Sequence, residues 1–442
     1  MKPLISTLLL MLGCGVCAAQ QNAALSLSQY TGLALQNNRE LRQVSLEEEA
    51  ARQTKKSAFT NYFPKLSAAG VVNATNILPG MAENFPLLSM LGDKGTYSVA
   101  GLVVQQPVFV GGRVFNGNRL AGVGAEAASE RLRMKRDEVR LAAEKKYRGL
   151  LVLYDKRKTL EAYSKMIDAL NSQVEQAAQQ GVATRTDVLR VNLKKAEINE
   201  SSSALEKGIV IAGQDLRIFA GLPENDNIEL AVSSEAVTEP SYSTASLRSR
   251  MPQRAEYRLL SSGVEAAKLQ REMKTGEYLP AVSVGAMLGR LDALSGDFSG
   301  PQSTFQNSIG FAMVSIPLSD WWGGAHAISE MKLKEDSARE RLAYASDYLV
   351  LDMRDKLQKY EQAYQRVQVA RTGCEEADAN KSEIEDGYNN GTEKLSDLLE
   401  AMALQQQNRD RLSEATADYF SARTAFNIAV GESSDAAAPA AK

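Results

Sequence analysis

The sequence predicts a mostly α-helical fold with a transmembrane β part, laid out as two tandem repeats. Three observations predict it. Stretches rich in Ala, Glu, Gln, Lys, Arg and Leu, and poor in Gly and Pro, run well past the ~8–20 residues of an ordinary globular helix. Between them lie pairs of alternating runs of ~10–14 residues, the length of a strand tilted across a bilayer. A set of landmarks then recurs in the same order, about 210 residues later. Composition narrows the function. The chain has 442 residues, 44% of them hydrophobic, with 51 Lys+Arg against 54 Asp+Glu and a net charge of -3. That makes a folded protein, without the cationic surplus that a nucleic-acid partner requires. One histidine, His326, and three cysteines, two of them (Cys14 and Cys17) in the N-terminal segment, leave Cys374 alone in the rest of the chain. A zinc site, an intramolecular disulfide and a His-activated nucleophile are all disfavoured. No catalytic, cofactor-binding or metal residues are assigned.

In chain order, residues 1–19 read as a signal peptide. Lys2 gives a positive start, Leu4 to Leu12 an apolar run, and Cys17-Ala18-Ala19 a small-residue cleavage site before Gln20. A lipoprotein signal acylated at Cys14 is the weaker alternative. The apolar run falls short of the ~20 residues of a spanning helix.

The first repeat, 20–238, opens with a helical pattern from Ser28 to Phe63 that Pro64 ends. A β-hairpin over 64–110 follows, with alternating runs Leu66–Thr75 and Thr96–Val110. A helix of about 113–180 comes next; at 1.5 Å per residue it would reach ~100 Å. Gly181 breaks it and a helix of about 185–220 returns. The second repeat, 239–432, joins near Pro240 and repeats the plan: hairpin 280–318, long helix from about Gly324 to Asp386, turn at Gly391, helix of about 394–430. Its hairpin runs are Ala281–Leu291 and Phe305–Leu318, linked by a loop, Asp292–Thr304, that should face water. Residues 433–442 read as a disordered tail.

The duplication rests on matched residues. Tyr62-Phe63-Pro64 answers to Tyr278-Leu279-Pro280, Gln106-Pro107-Val108 to Ile316-Pro317-Leu318, and Gly111-Gly112 to Gly323-Gly324. Gly181 to Leu189 answers to Gly391 to Leu399. Four strands per chain cannot close a barrel, since bacterial barrels need about 8 or more, and an open edge in lipid leaves N–H and C=O groups unpaired. Three chains would pool 12 strands, with the long helices bundled beneath. A soluble helical scaffold with two incidental hairpins is the bland alternative; it leaves the matched hairpins and the export signal unexplained.

The motifs Asn38-Arg39-Glu40-Leu41-Arg42, Phe63-Pro64-Lys65-Leu66, Gln106 to Gly112, Gly181 to Leu189 and Gly391 to Leu399 together resemble the TolC family of outer-membrane efflux channels, over about residues 25–432. The resemblance implies a homotrimer. A 12-stranded barrel in the outer-membrane lipid would continue into an α-helical coiled-coil barrel in the periplasm. It also implies a periplasmic adaptor and an inner-membrane pump, of the proton-driven (RND) or ABC type, as partners in efflux or type I secretion. No reaction is catalysed. The alternative class is a periplasmic structural coiled-coil protein.

By the same resemblance, the tip turns Gly181-Val182-Ala183-Thr184 and Gly391-Thr392 contact the adaptor. The plainer reading is that each glycine permits the φ > 0 that ends a helix. The periplasmic gate falls on Thr186, Asp187, Tyr388 and Glu393. Asp397 and Glu400, three residues apart, share a helix face, so three copies could ring the narrow end with carboxylates. An acidic helix start serves the helix dipole equally well. Where the family's best-known member carries a basic residue, this chain has Glu393, so an inverted pairing is expected: Glu393 with Arg185, helped by Lys394 with Asp187. Trp321 and Trp322, where the last strand meets the long helix, read as membrane-interface anchors, or as packing at a joint that Gly323-Gly324 would bend.

Overall fold

The computed structural model describes residues 24–76, 94–223, 229–231, 235–295 and 305–432. The segment read above as a signal peptide (with Cys14), the expected tail and most of the expected loop Asp292–Thr304 lie outside these residues. The chain forms α1 (Leu27–Asn37), α2 (Arg39–Phe59), β1 (Lys65–Asn76), β2 (Lys94–Val110), α3 (Arg113–Gln179) and α4 (Arg185–Ala220). The second half gives a one-turn α5 (Leu247–Arg250), α6 (Ala255–Glu277), β3 (Ala281–Ser295), β4 (Phe305–Ser315), α7 (Trp321–Asn389) and α8 (Leu395–Ala429). The long helices are 67 and 69 residues.

Three expectations are corrected. The helix from Ser28 to Phe63 is two helices and a 3-10 turn (Thr60–Tyr62), because Asn38 takes extended backbone between α1 and α2. Its side-chain amide donates to the Phe219 carbonyl at 3.1 Å, which holds the break in place. Strand β3 runs to Ser295, past the expected Leu291, while β4 stops at Ser315 before Pro317, which has no N–H to give a ladder. The glycine pairs also differ. Gly111 and Gly112 make a turn at φ 65° and 75°, whereas Gly323 and Gly324 are ordinary residues in the first turn of α7. The second bend is made before them, between Ile316 and Asp320.

The strands form one antiparallel sheet in the order β1-β2-β3-β4, so β2–β3 pairing joins the two repeats. Register sorts its base into two faces. Leu66, Val104 and Ala286 stand in one row, and Ala68, Leu102 and Leu288 in the next row of the same face. Lys65, Gln105 and Gly285 share the other face, with Pro107 and Ser283. Leu66, Leu102, Val284 and Leu288 are exposed, while Gln105 Nε2 donates to Ser283 Oγ at 3.3 Å on the second face. The first face is mostly apolar and largely bare, with Gln106 among its residues; the second is mixed, with Val103, Met287, Phe311 and Met313 beside the bonded Gln105 and Ser283.

Chain contacts divide into two units, and each takes segments from both repeats. One unit comprises Glu40–Glu138, Ser241–Gln358 and Ala425–Lys442, and so holds the sheet. Here Arg254 is buried and paired with Glu256 at 3.0 Å and Asp352 at 2.8 Å. The Gly111 turn lies backbone to backbone against Gly276 at the end of α6; a Cβ on Gly276 would meet the Gly111 carbonyl oxygen at 2.2 Å.

The other unit comprises Met1–Arg39, Val139–Pro240 and Lys359–Thr424. In it the residues joining the repeats are strapped onto helices. Leu25 pairs with Leu230 in a parallel bridge, and the Tyr147 hydroxyl lies 2.6 and 2.7 Å from the carbonyls of Leu25 and Ala231. Glu235 accepts from Arg148 at 3.2 Å and Arg423 at 2.8 Å. Both guanidinium groups lie over the Phe420 ring, 4.0 and 4.8 Å from its centroid. The Tyr419 hydroxyl donates to the Thr238 carbonyl at 2.7 Å and accepts from its N–H at 3.0 Å.

Candidate functional site

The two tip turns are built alike, bond for bond. At the first, the N–H groups of Val182 and Ala183 both donate to the Ala177 carbonyl, at 2.9 and 3.2 Å. At the second, those of Thr392 and Glu393 both donate to Gly387, again at 2.9 and 3.2 Å. Gly181 and Gly391 take φ 77° and 75°, the left-handed region that lets the last helical carbonyls find donors before the chain reverses. Neither glycine has any atom within 4 Å of where a Cβ would stand, so it is the backbone angle that favours glycine there.

The helices leaving the turns start differently. Thr184 and Asp187 close a capping box on α4. Thr184 Oγ1 accepts from the Asp187 N–H at 3.2 Å, while Asp187 Oδ2 accepts from the Thr184 N–H at 3.0 Å and its hydroxyl at 2.6 Å. These bonds, the hydroxyl's foremost, hold the Asp187 carboxyl below the ordinary aspartate value. At α8, Lys394 stands where Thr184 stands at α4 and offers no acceptor; Asp397 takes a hydrogen bond from the neighbouring Ser396 hydroxyl instead, at 3.0 Å.

An apolar core brings the two turns together. Ile167, Leu170 and Val174 of α3 and Val191 of α4 pack with Leu395 and Leu398 of α8. Ala183, Val188, Ile384 and Tyr388 lie partly buried against that cluster. Tyr388 is therefore held beside the first hairpin; burial, and next the Asp187 charge, raise its hydroxyl pKa.

Of the residues singled out in the sequence, Asp187 and Tyr388 come close enough to feel one another, and Asp397 is half-buried. Arg185, Thr186, Glu393, Lys394 and Glu400 are exposed, as are Gly181, Val182, Thr184, Gly391 and Thr392; Ala183 is half-buried. Within one chain, no ion pair among the described residues joins Glu393 to Arg185 or Lys394 to Asp187. The Asp187 carboxylate is occupied by Thr184, and the Glu393 stem folds over Gly387. Trp321 donates its indole N–H to the Tyr278 carbonyl at 2.9 Å, and Trp322 is 86% exposed. His326 is exposed and Cys374 half-buried with a free thiol.

Sequence reading missed two features. One is the capping box, legible as Thr184-Arg185-Thr186-Asp187. The other is an exposed apolar line beside the first tip, Val182, Leu189 and Leu193, whose last two members are spaced for one helix face. Among the described residues there is no His/Cys/Asp/Glu group that could hold a metal ion, and no helix long and apolar enough to cross a membrane.

The sequence profile of the family described as outer membrane efflux protein matches residues 30–217 and 260–432. Solved structures share the fold at low identity. The outer-membrane channel OprN is 18% identical, with a TM-score of 0.78 over 92% of this chain and 90% of its own. The Campylobacter jejuni CmeC outer membrane channel is 14% identical, with a TM-score of 0.78 over 97% and 94%. The outer membrane protein VceC of Vibrio cholerae is 16% identical, with a TM-score of 0.76 over 92% and 96%. Among curated proteins, none matches the chain significantly.

Proposed function

The chain belongs to the outer membrane efflux protein family, and from that premise we propose that it works as a homotrimeric outer-membrane conduit of a tripartite efflux system. Three copies pool their strands into a 12-stranded barrel in the outer membrane, and their helices form a tube in the periplasm. Cargo enters from an inner-membrane pump through a periplasmic adaptor docked on the tips, at Gly181, Val182, Ala183, Thr184, Gly391 and Thr392. The observation that supports this reading is the sheet: a mostly apolar, exposed face carrying Leu66, Leu102, Val284 and Leu288, and two outer strands, β1 and β4, each with one edge unpaired among the described residues. In lipid such edges cost several kcal/mol per unpaired group, a cost removed if β4 of one copy pairs with β1 of the next.

The gate lies at the tips. Since Glu393 and Arg185 do not meet within the chain, their pairing is placed between copies, with Lys394 and Asp187 alongside. Trp321 and Trp322 sit at the inner membrane-water boundary. The test is reconstitution of the full chain: outer-membrane extracts run on unheated gels should give a heat-sensitive trimer, and purified trimer should open channels in planar bilayers. A stable monomer with its β content intact would overturn the proposal.

A further inference from the structure

Beneath the sheet, in the unit that holds it, a cleft of about 520 Å³ opens among the ends of α2 and α6, the bases of β1 and β2, and the first turns of α3. Its lining is mixed. Pro107, Val114 and Met273 are apolar, Asn61 and Gln105 are polar, and Lys65 and Arg113 are cations. Lys65 is exposed and makes no ion pair or side-chain hydrogen bond with any described residue. Arg113 is pinned by its Nε, which donates to the Val110 carbonyl at 3.2 Å, so both terminal nitrogens remain available. Glu277, the one acid among the described residues lining the cleft, is paired with Lys274 at 2.7 Å. Two cations without a carboxylate partner of their own, in one cleft with apolar side chains, have the chemistry that recognises a single anionic group on a short hydrocarbon or aromatic body.

Register says which way the cleft faces. Lys65 and Gln105 are cross-strand partners, and Pro107 stands on the same face through Ser283. That face is opposite the one bearing exposed Leu66, Leu102 and Leu288. We propose that this cleft is a binding site for monoanionic amphiphiles, with Lys65 and Arg113 holding the anionic head and Met273 and Val114 the apolar body. On the conduit reading, which this clause rests on, the apolar face meets lipid and the cleft opens to the lumen, three times per trimer. The conduit would then carry its own preference for anionic over cationic cargo just below the barrel, independent of the pump.

Hexane-1-sulfonate and hexylammonium serve as probes, both used below their micellar range. By titration calorimetry on the detergent-solubilised full chain, hexane-1-sulfonate should bind and hexylammonium should not. Lys65→Gln should weaken sulfonate binding by about tenfold, from the loss of one charge-assisted contact. Lys65→Gln with Arg113→Gln should abolish it. Since Arg113 also braces the turn, Lys65→Gln alone, checked for an unchanged thermal transition, guards against misfolding. In planar bilayers the sulfonate should reduce single-channel current in the wild type, and Lys65→Gln should need about tenfold more of it for the same reduction. Absent binding, equal binding of the two probes, or binding indifferent to Lys65 overturns the site. Intact sulfonate binding in a chain that opens no channels overturns the conduit reading and leaves the site standing.

Discussion

Gly276 and Gly111 show how much a single hydrogen can matter. Their backbones touch where the first sheet-to-helix turn meets the end of α6, and a methyl on Gly276 would lie 2.2 Å from a carbonyl oxygen. Gly276→Ala must push the two elements apart, an overpacking cost of about 1–3 kcal/mol. It should lower the thermal midpoint of the purified protein. Gly149→Ala is the counterpart: it lies inside α3 with nothing within 4 Å of its missing Cβ, so replacement should stabilise by about 0.5–1 kcal/mol. Calorimetry of the two variants should move in opposite directions. The Gly111-Gly112 pair was visible in the sequence as half of a repeated motif, but Gly276 was not. Its need for glycine comes from a neighbour 165 positions away in the chain, which no local pattern encodes.

At the scale of elements, the tip hairpins are two copies of one turn with unequal starts. α4 has a hydroxyl-carboxylate capping box; α8 has Lys394 at the matching position and none. Amides at the start of α8 should therefore exchange with solvent faster than those at the start of α4. Thr184→Ala should erase the difference at a local cost of about 1 kcal/mol. Lys394→Thr, which sets a hydroxyl three residues before Asp397, should slow exchange at α8 instead. The cap also has a pH sign. Asp187 is depressed in the folded chain, so its stabilisation is complete above the ordinary value of 3.8 and is lost as pH falls through the lower folded value. Exchange at 185–188 should accelerate there, after correction for intrinsic rates, and Asp187→Asn should flatten the change.

These starts and stops were largely legible. Gly181, Gly391, Pro64 and long Pro-free runs mark helix ends by local chemistry, and α4 has the bounds expected of it. The Asn38 break was not legible, because its bond goes to Phe219 and Asn38 otherwise sits in good helical pattern. Nor was β2–β3 pairing, since alternation marks a strand without naming its neighbour.

For the whole molecule, the unpartnered surface matters most. On α7, Leu333, Tyr344, Tyr348 and Leu351 are each more than half exposed, at spacings of eleven, four and three that keep one face. The Tyr344 and Tyr348 rings contact each other, with centroids 4.6 Å apart. On the conduit reading this stripe faces a neighbouring copy. Tyr348→Glu with Leu351→Glu would forfeit about 1.5–3 kcal/mol of apolar burial per side chain and should lower the melting temperature of the trimer on unheated gels. The proposed gate makes a separate prediction. If Glu393 meets Arg185 of a neighbouring copy, Glu393→Lys sets two cations against each other and should raise the resting conductance of the reconstituted channel; unchanged conductance would remove the pairing. Surface ion pairs contribute roughly 0–1 kcal/mol each, which suits a closure meant to yield.

The order β1-β2-β3-β4 also constrains how the protein is made. Its first and last strands, over two hundred residues apart in the chain, are the ones left waiting. On the conduit reading, a newly exported copy would reach its membrane unfinished and expose two sticky borders until its siblings arrive. Insertion and oligomerisation would then become a single event, with a rate that climbs steeply with the number of copies at hand, so scarce synthesis would starve the cell of finished pores out of proportion to the shortfall.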